Sequence, residues 1–426
     1  MTETMNSSYK SDKSILSYWL CLSTCSNSDF ICLLDYLEEL DFGVLDIALS
    51  EKELRPLYVN HLINYYSTHG IIIAKYSFSK SHLDWICNKG LNLHVQRLGI
   101  SFNYSETNPI DFDEYILNFP ELLEIKCWDF TDTILDMLST YSPKLRSFKI
   151  LYDVDRMDDN NKIENFLSKC TQLTSLHISS PQSIDTVHLG SDTIQLIAKY
   201  TCTHLEVLKL INWDDFENDA ILALSKLNNL CELALGNVGL FLSDGLARLV
   251  SNNKRLESLT LEGMCWSHDD VMRALGASCP LLKHVTLWSG YWRKFTNVGV
   301  LSMVQGCPLL ESIKLSSSNA GPFTGWGEES EDEEEVLVEQ EVSFTNDSLF
   351  AIAQYCPHLK LLKISSVDPL SYDVRGLETV VDYCLSLKAI YTDSDKFYSV
   401  DFSEEEGEED DEDVDMHYYA EGGHGY

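Results

Sequence analysis

The phrase Cys-Pro-x-Leu-x-x-Leu-x-Leu returns along this chain, each time behind a stretch of helical pattern, and few folds can accept such a recurrence. It runs from Cys279 to Leu287, from Cys307 to Leu315 and from Cys356 to Ile364. Shorter relatives run from Pro120 to Cys127, Pro143 to Ile150, Cys170 to Ile178, Cys202 to Leu210, Leu227 to Leu235, Lys254 to Leu261 and Cys384 to Ile390. Their first apolar residues are Leu122, Leu145, Leu173, Leu205, Leu230, Leu256, Leu282, Leu310, Leu359 and Leu387, which lie 23 to 32 residues apart except for one gap of 49. A period in that range marks a repeat architecture. Val95 to Ile100 reads as an eleventh copy at the front, and the long gap holds one ordinary repeat plus the inserted text from Ser316 to Val342.

Inside each unit the apolar period switches from two to about 3.6, the signatures of a strand and a helix. Leu259-Thr260-Leu261 and Ile313-Lys314-Leu315 alternate, whereas Asp269 to Gly276 gathers its apolar residues on one helical face. Thr345-Asn346-Asp347-Ser348 supplies small polar residues suited to a helix N-cap. Stacked strands sit about 4.8 Å apart while packed helices need about 8 to 10 Å, so a sheet lined with helices on one side must bend. The expected fold is therefore α/β: a right-handed horseshoe solenoid with parallel strands on the concave face and helices on the convex face. Each unit buries its leucines only against neighbours, which calls for caps at both ends.

These residues closely resemble the cysteine-containing leucine-rich repeats of the F-box/leucine-rich repeat family, the substrate receptors of cullin-RING (SCF-type) ubiquitin ligases. The resemblance spans roughly residues 90 to 392. It implies that Cys170, Cys202, Cys279, Cys307, Cys356 and Cys384 are small buried turn residues. Their regular placement, with no Cys-x-x-Cys pair in the chain, argues against disulfides and against zinc, so no metal and no cofactor are expected. Thirteen cysteines in all, placed this way, fit a reducing compartment, cytoplasm or nucleus.

The domain organisation expected is an N-terminal segment 1–28 without fixed structure, a helical F-box-like or capping region 29–88, repeats over 89–395 with a disordered acidic insertion 317–342, and a disordered acidic tail 396–426. Ile31, Leu34, Leu37, Leu40, Leu45, Leu49, Leu54 and Leu57 recur at helical spacings. The stretch 29–62 resembles an F-box in length, pattern and position, which implies docking onto a ligase adaptor. It lacks the Leu-Pro opening of that module, its first proline being Pro56, and it has no tryptophan where the third helix often carries one. A helical cap over the first repeat is the competing reading. Ile15 to Cys25 is too interrupted by Ser and Thr to read as a signal peptide, and no apolar run approaches the ~20 residues that span a bilayer.

Net charge is −36, with nine acidic residues between Glu328 and Glu341 and eleven between Asp401 and Asp415, so these two blocks carry more than half of it. They self-repel and lack the apolar content to fold. An acidic balance of this size disfavours direct nucleic-acid binding. The chain also shows no phosphate loop, no His-Glu-x-x-His and no base paired with a nucleophile on adjacent elements, so no catalytic activity is expected.

With the leucines pointing into the core, the residue between the last two apolar positions of each strand faces the concave solvent. That column reads Lys126, Lys149, His177, Lys209, Ala234, Thr260, Thr286, Lys314, Lys363 and Tyr391: five lysines and no acid. It suits an acidic or phosphorylated segment of a protein target. Solvated filler is the competing reading, with Glu124, Glu232 and Glu262 diluting the field from adjacent columns. Trp128, Trp213, Trp266, Trp288, Tyr291 and Trp292 fall at or just after strand ends, where exposed aromatics act as binding hot spots or else cover the edge of the core. The acidic insertion and tail, by charge sign, are candidates to occupy the basic column in cis.

Overall fold

The computed structural model describes residues 59–60, 62–64, 66–67, 70–74, 80–101, 119–127, 132–150, 160–179, 191–211, 218–236, 243–262, 268–289, 295–317, 344–365, 372–392 and 398–399. Among them one sheet of thirteen strands runs in strict chain order. It opens with β1 (Ile71–Ala74), followed by α1 (Lys80–Asn88), β2 (Arg97–Ser101), β3 (Glu124–Cys127), α2 (Asp132–Tyr141) and β4 (Ser147–Ile150). Next come α3 (Asn160–Lys169), β5 (Ser175–Ser179), α4 (Ser191–Thr201), β6 (Val207–Ile211), α5 (Asn218–Leu224), β7 (Glu232–Gly236), α6 (Ser243–Asn252) and β8 (Ser258–Glu262). The last units are α7 (His268–Ser278), β9 (His284–Ser289), α8 (Asn297–Gly306), β10 (Ser312–Ser317), α9 (Asn346–Tyr355), β11 (Leu361–Ser365), α10 (Val374–Tyr383), β12 (Ala389–Thr392) and β13 (Tyr398–Ser399). From β1 to β12 every pairing is parallel. This is a leucine-rich repeat solenoid of the α/β class.

The leucines hold it together by ladder rather than by layer. Leu122, Leu145, Leu173, Leu205, Leu230, Leu256, Leu282, Leu310, Leu359 and Leu387 are all buried, and each stacks in one continuous core with its counterparts above and below. A fully buried leucine contributes about 2 kcal/mol relative to exposure, but only when the neighbouring repeat covers it. At the start of each strand a second device fixes the register. The carbonyl of Lys283 accepts from both Glu311 N and Ser312 N at 2.7 and 3.0 Å, and the carbonyl of Glu311 accepts from Lys360 N and Leu361 N at 2.7 and 3.1 Å. The same forked bond recurs from Gln96 through to Lys360, so each backbone turn is clamped to the next.

The turn position three residues before the ladder leucine is chemically mixed. Cys170, Cys279, Cys307, Cys356 and Cys384 are buried there as the cysteine pattern implies. Four of these thiols point at a carbonyl of an earlier repeat: Cys170 at Ser142, Cys279 at Val250, Cys307 at Leu275 and Cys384 at Cys356. Ser142 and Asn253 fill the same place in their own repeats. Cys202 does not, contrary to the sequence expectation. Its turn is one residue longer, Leu205 N bonds back to Thr201 O, buried Thr201 occupies the slot, and Cys202 stands half-exposed. Asn253 works hardest: its amide donates to Leu227 O and Leu249 O at 2.9 and 2.7 Å and its Oδ1 accepts from Leu230 N at 2.8 Å.

Helices couple through their caps. Asp269, in the first turn of α7, accepts from the backbone N–H and the hydroxyl of Thr296, the N-cap of α8. Asn297 holds Thr345, the N-cap of α9, and Asn346 holds Asp373, the N-cap of α10, in the same manner. The third residue of each following helix is small, Gly299, Ser348 and Gly376, because a larger side chain would collide with the Asp269 or Asn346 carboxyl or amide oxygen, and Ser348 instead donates to Asn297 Oδ1 at 2.6 Å.

Two boundaries differ from the sequence reading. Ile71–Ala74, inside the stretch 29–88 read as helical, is a strand that pairs with β2, and buried Leu62 and Tyr66 in the helical residues before it join the common core. Gly70 makes that turn at φ 80°, where its Cα lies so close to the Arg97 carbonyl that a Cβ would not fit. At the other end Tyr398–Ser399, placed in a tail without structure, runs antiparallel along β12 and covers the last parallel edge. Segments 1–58, 318–343 and 400–426 lie outside the described residues, and with them the stretch 29–58, both acidic blocks and their suggested occupancy of the basic column.

Candidate partner-binding surface

Alternation along each strand assigns two jobs to neighbouring residues. In β8 the sequence Ser258-Leu259-Thr260-Leu261-Glu262 buries its leucines and leaves the other three half-exposed. The sheet register then lines up the outward residues of successive strands. Lys126 pairs with Lys149, Lys149 with His177, His177 with Lys209, Lys209 with Ala234 and Ala234 with Thr260. Thr260 continues to Thr286, Thr286 to Lys314, Lys314 to Lys363 and Lys363 to Tyr391. The column extracted from the sequence is thus one physical row across the concave face, with strand steps of about 4.8 Å.

The row is not electrically uniform. Lys209 is bound to Glu232 at 2.8 Å, both side chains largely covered, which cancels much of its charge locally. His177 sits between Lys149 and Lys209, and burial, reinforced by Lys149, Lys209 and Lys126, depresses its pKa to about 3. It is a neutral imidazole at physiological pH. One row towards the strand starts, Arg97 bridges Glu124 at 3.2 Å with both ends well exposed, a contact of small worth in water. The middle of the face is low and uncharged along Ala234, Thr260 and Thr286.

Beyond that middle the surface changes again. Glu262 lies on β8, and burial raises its pKa although Lys314 and Lys363 pull it down. His284 is held below its ordinary value by burial, against the pull of Glu311. Lys314 and Lys363 lie side by side in register and form no ion pair among the described residues, whereas Lys144, Lys162, Lys199, Lys209, Lys283 and Lys360 all do. Trp288 is 37% exposed on the same face and Tyr391 is 40% exposed beside Lys363. Of the six aromatic residues marked in the sequence, Trp288 alone is described; Trp128, Trp213, Trp266, Tyr291 and Trp292 lie outside the described residues.

Sequence reasoning found the row because a period of two is unambiguous. It missed the Lys209–Glu232 bond, which joins residues 23 positions apart whose lateral contact only the register reveals. Among the described residues no group of three or more His, Cys, Asp or Glu side chains is placed to hold a metal ion, and no helix is long and apolar enough to cross a membrane. A shallow hollow of about 160 Å³ lies beside α10, lined by Leu377, Glu378, Val381 and Asp382, away from the row.

No protein family model matches the chain. Among solved structures it is similar to the yeast Rad7 and Elc1 complex, at 15% identity and a TM-score of 0.45, over 89% of this chain and 92% of that one. It is also similar to internalin C2 of Listeria monocytogenes, at 17% identity and a TM-score of 0.30, over 54% of this chain and 82% of that one. The assignment to leucine-rich repeats rests on the chain's own ladder, register and burial.

Proposed function

We propose that this is a non-catalytic protein of the cytoplasm or nucleus that holds a protein target on its concave face, and that it serves as a substrate-recognition subunit of a cullin-RING (SCF-type) ubiquitin ligase. The observation that carries the binding half is the division of labour along the strands. The ladder leucines and most of the turn residues are consumed by the core, while a row of Lys, His, Thr and Tyr side chains, interrupted by buried Ala234, faces outward over ten consecutive strands. Such a row gives a broad, shallow contact surface suited to a protein.

What supports the ligase half is the sequence resemblance: helix, Cys-Pro turn and Leu-x-x-Leu-x-Leu strand recurring together, preceded by the F-box-like stretch 29–62. The absent Leu-Pro opening favours a second reading, a binding scaffold with no ligase link. Co-purification separates them. Adaptor and cullin should accompany the full chain and be lost from a chain lacking residues 1–58; their absence from both would establish the scaffold. The concave face is tested with the double substitution Thr260→Glu/Thr286→Glu, which sets two carboxylates in the uncharged middle of the row. It should abolish target capture without changing the circular dichroism spectrum, and unchanged capture would refute concave binding.

A further inference from the structure

The concave face around β9 to β12 can be laid out as a grid from the register alone. Its central line is Thr286, Lys314, Lys363, Tyr391. The line towards the strand starts is His284, Ser312, Leu361, Ala389, and the line towards the strand ends is Trp288, Ser316, Ser365. Two ammonium groups stand at the centre on adjacent strands. Hydroxyls of Thr286, Ser312, Ser316 and Ser365 surround them, aromatic rings flank them at both sides, and the grid holds no carboxylate.

Geometry and charge both mark this pair, which shares its side-by-side register with Lys126 and Lys149 but stands among hydroxyls and aromatic rings. Six lysines elsewhere are bound to carboxylates, Lys144 to Glu121, Lys162 to Asp136, Lys199 to Glu164, Lys209 to Glu232, Lys283 to Glu257 and Lys360 to Glu311. Lys314 and Lys363 are not, and Glu262, which feels both, lies two strands away from Lys314 and beyond ion-pair distance. Two adjacent lysines without an acid between them repel one another, which costs stability unless an anion is brought to them. A carboxylate offers one negative charge. A phosphate carries nearly two, with three acceptor oxygens that can take hydrogen bonds from both ammonium groups and from neighbouring hydroxyls at once.

We propose that Lys314 and Lys363 form a phosphate-binding subsite that receives a phosphorylated serine or threonine of a protein partner, with the partner residues on either side lying against Trp288 and Tyr391. The inference rests on the reading of the concave face as the protein-binding surface and adds the chemical class of the ligand. Phosphorylation of the partner then gates its capture, since the same segment without phosphate leaves the lysine pair uncompensated.

The probe is a degenerate peptide library fixed only at a central phosphoserine, with matched libraries carrying serine or glutamate there, presented to the full chain. Retention of the phosphoserine library should exceed that of the serine library by about tenfold or more, fall with added salt, and vanish in Lys314→Gln/Lys363→Gln. It should persist in Lys283→Gln, which removes a lysine bound to Glu257. Equal retention of the glutamate library, or a phosphoserine preference untouched by Lys314→Gln/Lys363→Gln, would overturn the proposal. The Thr260→Glu/Thr286→Glu variant keeps the two ideas apart. Target capture lost in that variant but intact in Lys314→Gln/Lys363→Gln refutes the phosphate subsite alone, and capture intact in both refutes concave binding as well.

Discussion

Asn297 and Thr345 are 48 residues apart in sequence and hold each other reciprocally: Thr345 N–H donates to Asn297 Oδ1 at 2.9 Å and Asn297 Nδ2 donates to Thr345 Oγ1 at 2.8 Å. This pair restores the repeat register directly after the acidic insertion, because it docks the N-cap of α9 on the first turn of α8 whatever the length of chain between. Ser348 adds a third bond to the same amide oxygen at 2.6 Å. Asn297→Ala removes all three and leaves a buried or half-buried donor unsatisfied, so urea unfolding should show a loss of about 2 to 3 kcal/mol. Removing residues 322–341 should cost far less, since the length of chain between two anchored ends enters stability only logarithmically.

Gly306 of α8 lies against the backbone of Gly276 on α7, so closely that a Cβ on Gly306 would sink into the Gly276 carbonyl. Backbone cannot yield as a flexible side chain can. Gly306→Ala, normally a favourable change inside a helix, should here lower the denaturation midpoint by the equivalent of about 1 to 3 kcal/mol. A stabilised variant would contradict the close approach.

The fold was legible in the sequence to the extent that burial obeys a period. Leu259, Leu261, Ile313 and Leu315 alternate without exception, and their outward neighbours could be assigned before any strand was placed. Legibility failed where a position depends on count rather than pattern. One extra residue in the turn before Leu205 moved the slot from Cys202 to Thr201, and nothing in the local composition announces it. It failed again where a short apolar run carries no period, as at Ile71-Ile72-Ile73-Ala74, which reads equally well as helix or strand. The row of lysines was visible, but its division into an ion-paired Lys209 and an uncompensated Lys314 and Lys363 depends on lateral contacts that no linear reading contains.

Thiol chemistry should follow burial. Cys170, Cys279 and Cys307 are buried and their pKa values are pushed up to about 12, so the thiolate that reacts is scarce at neutral pH. Cys202 is half-exposed, so its sulfur is open to reagent from solvent. Native-state alkylation at pH 7.5, resolved by peptide mass spectrometry, should modify Cys202 at least about tenfold faster than Cys279 or Cys307. Comparable rates at all three would mean the turns open readily.

Acid sensitivity should trace in part to His177. Its folded pKa, near 3, lies below the ordinary value of 6.5 because burial and three lysines disfavour the imidazolium. A histidine depressed in the fold takes its proton first in the unfolded chain. Its contribution to stability is therefore complete above about pH 6.5, declines as pH falls below that value, and keeps declining until the folded imidazole itself titrates near 3. His177→Gln removes this term while keeping a polar side chain of similar reach. Urea unfolding at pH 7 and pH 4.5 should show a smaller loss of stability on acidification for His177→Gln than for the unsubstituted chain. Equal losses would mean that His177 is protonated in the fold at pH 4.5, and that the neighbouring lysines exert no effective field there.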